Sequence, residues 1–477
     1  LKNRKRVLCA LWAVFLLWQV LLPAAVFGEP TASPAASSAP STQTDTSAAE
    51  QTQNSHMDAN GRPILGQGET GILIESTSGT VLYESESEKQ MFPASTTKIM
   101  TALLAAEALE KGEVTLEEQI EITPEMLSGL AADSSTMNLK EGEIISFDAL
   151  LKGLLIPSGN DAAMAIAFRL AGNDQAFVEK MNAKAAELGL SGTHFMNPHG
   201  LHDDNHYTTA ADMAKIAQAA MQYEIFRDTV DIAHIKIPPT NKTEKERYYI
   251  NTNGLLSTMR YLEYYYKGAN GIKTGNTSQA GNCLVFSAVQ NGMELIGVVF
   301  HGKDVAASHQ DSIRLLDYGF SQYEIISPIS EGEILGEVRV KQGKSTDSVT
   351  LSSEGNIKVV VPKGTTRQDL EIRPEIPDAI YAPVYKDQVA AKVTVLYNGT
   401  ELASGNLRAD VDVERSPFWP VQALGEWLWS FFLVRIITYL VLAVLLVLIL
   451  FFILGLYRSL KTAQYRKKSQ NRRGRRK

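Results

Sequence analysis

The chain has 477 residues, with 46 Lys and Arg against 53 Asp and Glu, and only two cysteines. Setting aside four basic residues near the N-terminus and ten in the C-terminal tail leaves 32 cations against 53 acids, about −21, a balance unsuited to nucleic acid or an anionic lipid surface. With Cys9 in the leader, Cys283 has no partner in a mature chain, so disulfides do not hold the fold and two or three domains must supply their own cores.

Lys2, Arg4, Lys5 and Arg6 precede an apolar run from Val7 to Phe27 that Gly28 closes. Residues 1–28 have the layout of a secretory signal, and the run is also long enough to stay as an anchor. Residues 29–56 are mostly Ala, Ser, Thr, Pro and Gln with too little apolar surface to fold, and read as a disordered linker. Gly71–Ile74, a Thr-Ser-Gly turn and Val81–Tyr83 predict a β-hairpin. A helix begins near Ser95. Helical periodicity recurs over Phe147–Leu155, over Ala162–Leu170, and at Phe177, Met181, Ala185 and Leu188, the last capped by Asn173 or Asp174.

Strands return at Cys283–Val289 and Met293–Phe300, which flank Gln-Asn-Gly, a strong hairpin signal. Strands at both ends around a helical middle predict an α+β domain over 57–324, with an antiparallel sheet flanked by helices. From 325 to 415, short alternating runs separated by Gly, Pro and Asn-Gly turns predict a small all-β sandwich. Residues 416–435 carry Trp419, Trp427 and Trp429, where interfacial aromatics belong. Residues 436–457 are free of charge and fit a transmembrane helix, and the basic tail over 458–477 is cytoplasmic by the positive-inside rule.

Chemistry enters through three short motifs. In PASTTKIMTALL, Ser95 and Lys98 stand three residues apart; a helix cap beside a solvated amine explains them, and so does a nucleophile beside its base. Ser158-Gly159-Asn160 lies in LLIPSGNDAAMAIA, between two apolar helical segments that would hold a polar loop near the core. Lys273-Thr274-Gly275 leads into the second hairpin within GIKTGNTSQAGNCLV. Each alone is ordinary turn or strand-end composition, and a second Ser-Gly-Asn stands at 404–406. Ser-x-x-Lys and Lys-Thr-Gly, however, occur once each, in the order shared by penicillin-binding proteins and class A β-lactamases. No metal-ligand spacing is present, and His199 and His202 in NPHGLHDDNHY read as loop hydrogen-bonders.

From Met57 to Glu324 the chain resembles the serine D-alanyl-D-alanine carboxypeptidases, the low-molecular-mass penicillin-binding proteins. PASTTKIMTALL, SGNDAAMAIA, LGLSGTHFMNPHGL, NTNGLL and KTGNTSQAGNCLV carry the likeness, and IYAPVYKDQVAAKVTVLYNG extends it to Arg415. The resemblance implies a β-lactamase/transpeptidase-like fold with a helical subdomain, and acyl transfer from peptidoglycan stem peptides ending in D-Ala-D-Ala. Ser95 would be the nucleophile and Lys98 its base, with Ser158 relaying a proton and Asn160 holding the substrate amide. Lys273 and Thr274 would receive a substrate carboxylate, Gly275 would let the strand edge approach, and the N–H groups of Ser95 and Asn276 would form the oxyanion hole. A lysine of pKa about 10.4 must be shifted down for this role, which burial and the charge of Lys273 would both do. β-Lactams would acylate Ser95, and neither cofactor nor metal is implied.

Two features depart from the family pattern: Asn276 follows Lys-Thr-Gly, and a spanning segment follows the Trp-rich stretch. A β-lactamase shares the motifs, yet no Glu-x-x-Leu-Asn loop occurs between Asp161 and Ile272. A catalytically silent peptidoglycan-binding scaffold and an endopeptidase are further alternatives.

Overall fold

The computed structural model describes residues 56–474 apart from Ala132, so the leader and all but the last residue of the linker lie outside it. The first hairpin forms as the alternation predicts, from β1 (Thr70–Glu75) and β2 (Val81–Ser85). Its turn passes through Gly79 at φ +71°, a left-handed conformation glycine adopts without Cβ conflict. A helical region follows: α1 (Lys98–Glu110), the short α2 (Pro124–Leu127), α3 (Phe147–Leu155), α4 (Asn160–Ala171), α5 (Asp174–Glu187), α6 (Ala210–Ala220) and α7 (Glu224–Val230). The chain then returns as β3 (Ala269–Thr277), β4 (Gly281–Gln290), β5 (Met293–Gly302) and α8 (Val305–Gln322).

The strand order β2-β1-β5-β4-β3 joins both ends of this region in one antiparallel sheet, with Ile72 opposite Val298. Side chains alternate strictly between its faces. Ile72, Ile74, Val285, Ile296 and Val298 meet the helical region, whereas Leu73, Leu284, Phe286, Leu295 and Val299 meet Leu315 and Leu316 of α8. Burial on both faces explains why these strands read as unbroken apolar runs. The turn between β4 and β5 has Asn291 at φ +50° and Gly292 at φ +79°, the two left-handed residues a tight hairpin requires.

Helix α1 is buried nearly all round, with Ile99 and Leu103 each contributing about 2 kcal/mol of burial. That leaves it little freedom to shift. Local chemistry sets the ends of its neighbours. Ser146, Asn173, Thr209 and Asp304 each accept a backbone N–H at the start of α3, α5, α6 and α8. Asn173, not Asp174, is therefore the cap of α5.

Helix α8 runs without a linker into the next strand, at Tyr323. Eight strands follow: β6 (Tyr323–Ile329), β7 (Ile334–Lys341), β8 (Ser348–Ser353), β9 (Ile357–Pro362), β10 (Glu371–Glu375), β11 (Ala379–Tyr381), β12 (Val389–Tyr397) and β13 (Thr400–Ala409). They form a six-stranded sheet in the order β10-β12-β13-β8-β7-β11 and a two-stranded β6-β9 sheet. Val338, Leu351, Val359, Val393, Val395 and Leu407 make the core shared by the two sheets. After Arg415 a single helix, α9 (Trp419–Gly474), runs continuously through the Trp-rich stretch, the apolar span and the described part of the tail. The interfacial stretch is thus the first part of the same helix. The most apolar stretch within its Arg435–Gln464 portion has mean hydropathy 3.3 and buries none of its surface against the rest of the protein, so it faces outward as a membrane anchor does.

Candidate active site

Ser95 lies on a 3-10 turn, Ala94–Thr97, that precedes α1; Lys98 is the helix's first residue. The helix expected near Ser95 thus enters through this turn and becomes α-helical at Lys98; no side chain caps either element, and Ala94 turns the chain at φ +48°. In a 3-10 turn, residues three apart eclipse one another, which is why Ser-x-x-Lys places both side chains on one side. The Lys98 ammonium donates to Ser95 Oγ at 2.8 Å, to Asn160 Oδ1 at 2.7 Å and to the His199 carbonyl at 2.8 Å.

Those three acceptors are not equivalent. A carbonyl and an amide oxygen only accept, whereas a hydroxyl also donates. A neutral Lys98 therefore keeps its two N–H bonds to Asn160 and His199 and turns its lone pair toward the Ser95 hydroxyl. Loss of its proton breaks no buried hydrogen bond. Burial first, and then the charge of Lys273, holds Lys98 well below the ordinary lysine range; Asp161 pulls weakly the other way. Lys273 is itself enclosed on β3, and burial followed by the charge of Arg260 pushes it down to about 7.

The second motif bridges α3 and α4. Ser158 has φ +68°, a strained value for a residue with a Cβ, and its buried Oγ has no hydrogen-bond partner among the described residues. Asn160 is the first residue of α4, and its backbone N–H donates to Ser135 O at 2.8 Å. Asp161 accepts from the N–H groups of Met137 and Leu139, tying the Ser158 loop to the segment that forms the far wall.

The third motif lies on β3, the edge strand of the main sheet. A Cβ on Gly275 would stand 2.9 Å from Pro93 O and 3.0 Å from Ser95 N, so only glycine lets this strand pass so close to the nucleophile's turn. Thr274 Oγ1 donates to Thr252 Oγ1 at 2.6 Å, and Lys273 Nζ donates to Thr274 O at 3.0 Å. Asn276 turns outward, its amide donating to Asn282 Oδ1 at 3.0 Å.

Ser95, Ser158, Asn160, Thr274, Gly275 and Asn276 line one open cleft of about 620 Å³, while Lys98 and Lys273 lie beneath its surface. The cleft also takes in Thr252, Arg260, Tyr261 and His309, none of which the motifs single out. Only NTNGLL, the segment holding Thr252, carried a signal in the sequence. His199 enters through its carbonyl, and its ring is buried and held down to about 3 by desolvation. The other Ser-Gly-Asn, Ser404–Asn406, lies on β13, far along the chain from any of these groups. Among the described residues no three His, Cys, Asp or Glu side chains cluster as metal ligands do.

Known proteins resemble this chain in sequence and in fold. A family model described as D-alanyl-D-alanine carboxypeptidase matches residues 62–304, and one described as the C-terminal domain of penicillin-binding protein 5 matches residues 323–415. The D-alanyl-D-alanine carboxypeptidase DacF of Bacillus subtilis is 33% identical over 366 residues, covering 76% of this chain and 91% of the relative. DacA of Haemophilus influenzae is 34% identical over 347 residues, covering 72% and 85%. The crystal structure of penicillin-binding protein 5 from Haemophilus influenzae matches with a TM-score of 0.61 at 32% identity, covering 72% of this chain and 97% of that one. With its motifs gathered in one cleft and both domains matched, the chain belongs to the serine-type D-alanyl-D-alanine carboxypeptidases of peptidase family S11, the low-molecular-mass penicillin-binding proteins.

Proposed function

We propose that Ser95 attacks the carbonyl between the last two D-Ala residues of a peptidoglycan stem peptide, with Lys98 as the general base. The observation that carries this reading is the 2.8 Å contact between a buried Lys98 amine and the Ser95 hydroxyl. The proton leaves Oγ for Nζ as the Oγ–C bond forms. The N–H groups of Ser95 and Asn276 face the developing oxyanion, a role supported by the approach of Gly275 to Ser95 N. Collapse then expels the terminal D-Ala amine, which takes a proton that Ser158 relays from Lys98. Asn160 holds the substrate amide while fixing Lys98, and the Thr274–Gly275 wall receives the carboxylate end. Water attacking the acyl-enzyme through the same base releases the shortened peptide. β-Lactams, as mimics of the dipeptide, acylate the same oxygen.

The partner of the apolar part of α9 is a lipid bilayer, and the ten basic residues that follow the span support a cytoplasmic tail with the catalytic domain on the opposite side. Nucleic acid is not a partner of so acidic an exported region. One experiment tests both site and side. A membrane-impermeant fluorescent penicillin applied to intact cells labels the wild type, and Ser95→Ala loses both the label and D-Ala release from a pentapeptide by at least about a thousandfold. Equal release by the two proteins would overturn the mechanism. Labelling only after permeabilisation would invert the topology.

A further inference from the structure

The cleft has to hold a carboxylate, and the lysine of Lys-Thr-Gly is poorly placed to meet one. Lys273 is 1% exposed and does not line the cleft; its amine points to Thr274 O. Among the described lining residues, Arg260 is the only Lys or Arg. It is exposed, and no ion pair engages it among the described residues; its guanidinium carbon stands 5.7 Å from the centroid of the Tyr261 ring.

That mount is built rather than loose. Tyr261 packs with Tyr264 at 5.3 Å and with His309 at 6.1 Å between ring centroids. His309 in turn accepts from Gly254 N at Nε2 and contacts Val305 O at 2.8 Å through Nδ1. Since an amide N–H only donates and a carbonyl only accepts, the His309 proton is on Nδ1. Gly254 completes the fit, because a Cβ there would lie 2.9 Å from the Tyr261 ring. The loop from Asn253 to Gly254 and the aromatic cluster thus back the segment that carries Arg260, which lines the same cleft as Thr252 and Thr274. Those two hydroxyls own two protons and use one between themselves, leaving one to donate to an oxygen acceptor in the cleft.

We propose that Arg260, together with the Thr252–Thr274 hydroxyl pair, is the site that selects the terminal carboxylate of the substrate, with Lys273 acting from beneath on Lys98. This rests on the carboxypeptidase reading above. The downward push that Arg260 exerts on Lys273 fits it, since the guanidinium's positive field is then felt at this wall of the cleft. An arginine is a permanent cation with a planar fork that matches a carboxylate, whereas an enclosed lysine with a pKa near 7 is a weak anion receptor at neutral pH.

The test compares full-length wild type, Arg260→Ala and Arg260→Lys on two peptides, one ending in D-Ala-D-Ala and its C-terminal amide. The readout is the ratio of kcat/KM for the acid to that for the amide. We expect Arg260→Ala to reduce this ratio about 10- to 100-fold, chiefly through KM for the acid, and Arg260→Lys to restore part of it. An unchanged ratio, or equal loss on both peptides, overturns the assignment. Penicillin labelling to completion in the variant shows that its fold and Ser95 remain intact. If wild type neither labels nor releases D-Ala, the broader reading has failed instead.

Discussion

The tripeptide Ser-Gly-Asn occurs in both domains, and the two copies have little in common beyond composition. At 158–160 it bridges two buried helices, with Ser158 at φ +68° and Asn160 Oδ1 receiving the Lys98 ammonium. At 404–406 it continues strand β13, where Ser404 pairs with Thr394 and the Asn406 amide donates to Glu354 at 2.7 Å. Glycine differs as well. Gly159 would press a Cβ against Asp161 and the Gly153 carbonyl, while Gly405 makes room for the tip of Ile357. A motif becomes a site through what is packed around it: the first copy has a desolvated amine behind it, and the second has solvent and a surface carboxylate.

Paired substitutions should widen this contrast. Asn160→Ala removes an acceptor from a buried ammonium and the group that aims it, so kcat should fall on the order of 100-fold or more. Asn406→Ala should leave turnover within about twofold and cost roughly 1 kcal/mol of stability, read as a small drop in Tm. Equal effects on kcat from the two substitutions would mean that packing, not position, had been misjudged.

The glycines offer a second, smaller contrast. Gly275→Ala meets backbone atoms of Pro93, Ser95 and Thr96 at 2.9 to 3.1 Å, none of which can move without shifting the nucleophile. Penicillin acylation should slow by about 10- to 100-fold, with a penalty of roughly 1–3 kcal/mol from overpacking. Gly405→Ala meets the flexible end of Ile357 at 2.6 Å and should shift Tm by a few degrees with acylation unchanged.

The smallest effect is in pH dependence. The folded pKa of Lys273, about 7, lies below the ordinary lysine value near 10.4, so between them the unfolded chain binds more protons than the folded one. Wild-type stability should rise with pH through that window from this group. Lys273→Met removes the slope, and its gain in Tm over wild type should be greatest below pH 7 and shrink toward pH 10. Removing the like charge also raises the Lys98 pKa, so the acid limb of residual kcat/KM should move to higher pH. A limb that stays fixed would dissociate the two lysines.

Much of the architecture was readable because its causes are local. The Asn291-Gly292 turn, the Asn173 cap and the charge-free run from Ile436 each act within a few residues of themselves. Helix α8 escaped notice because its apolar face is interrupted by buried polar groups, among them Ser308, His309, Asp311 and Ser312. The 3-10 turn at Ser95 was likewise hidden, since Ala-Ser-Thr-Thr carries no residue that demands it; the backbone of Gly275 and the left-handed Ala94 accompany it only in three dimensions.

By itself the sequence determined which groups are available: a hydroxyl and an amine at 3-residue spacing, a second serine and asparagine, a Lys-Thr-Gly strand and an apolar span. Only the tertiary structure decided which of them become reactive. The downward shift of Lys98 comes from burial among segments up to 101 residues away, as its bond to the His199 carbonyl shows. The position of Arg260 likewise depends on an aromatic cluster assembled from the segment around Tyr261 and Tyr264 and from α8. Desolvation and charge proximity are properties of enclosure, and enclosure has no counterpart in the order of residues along a chain.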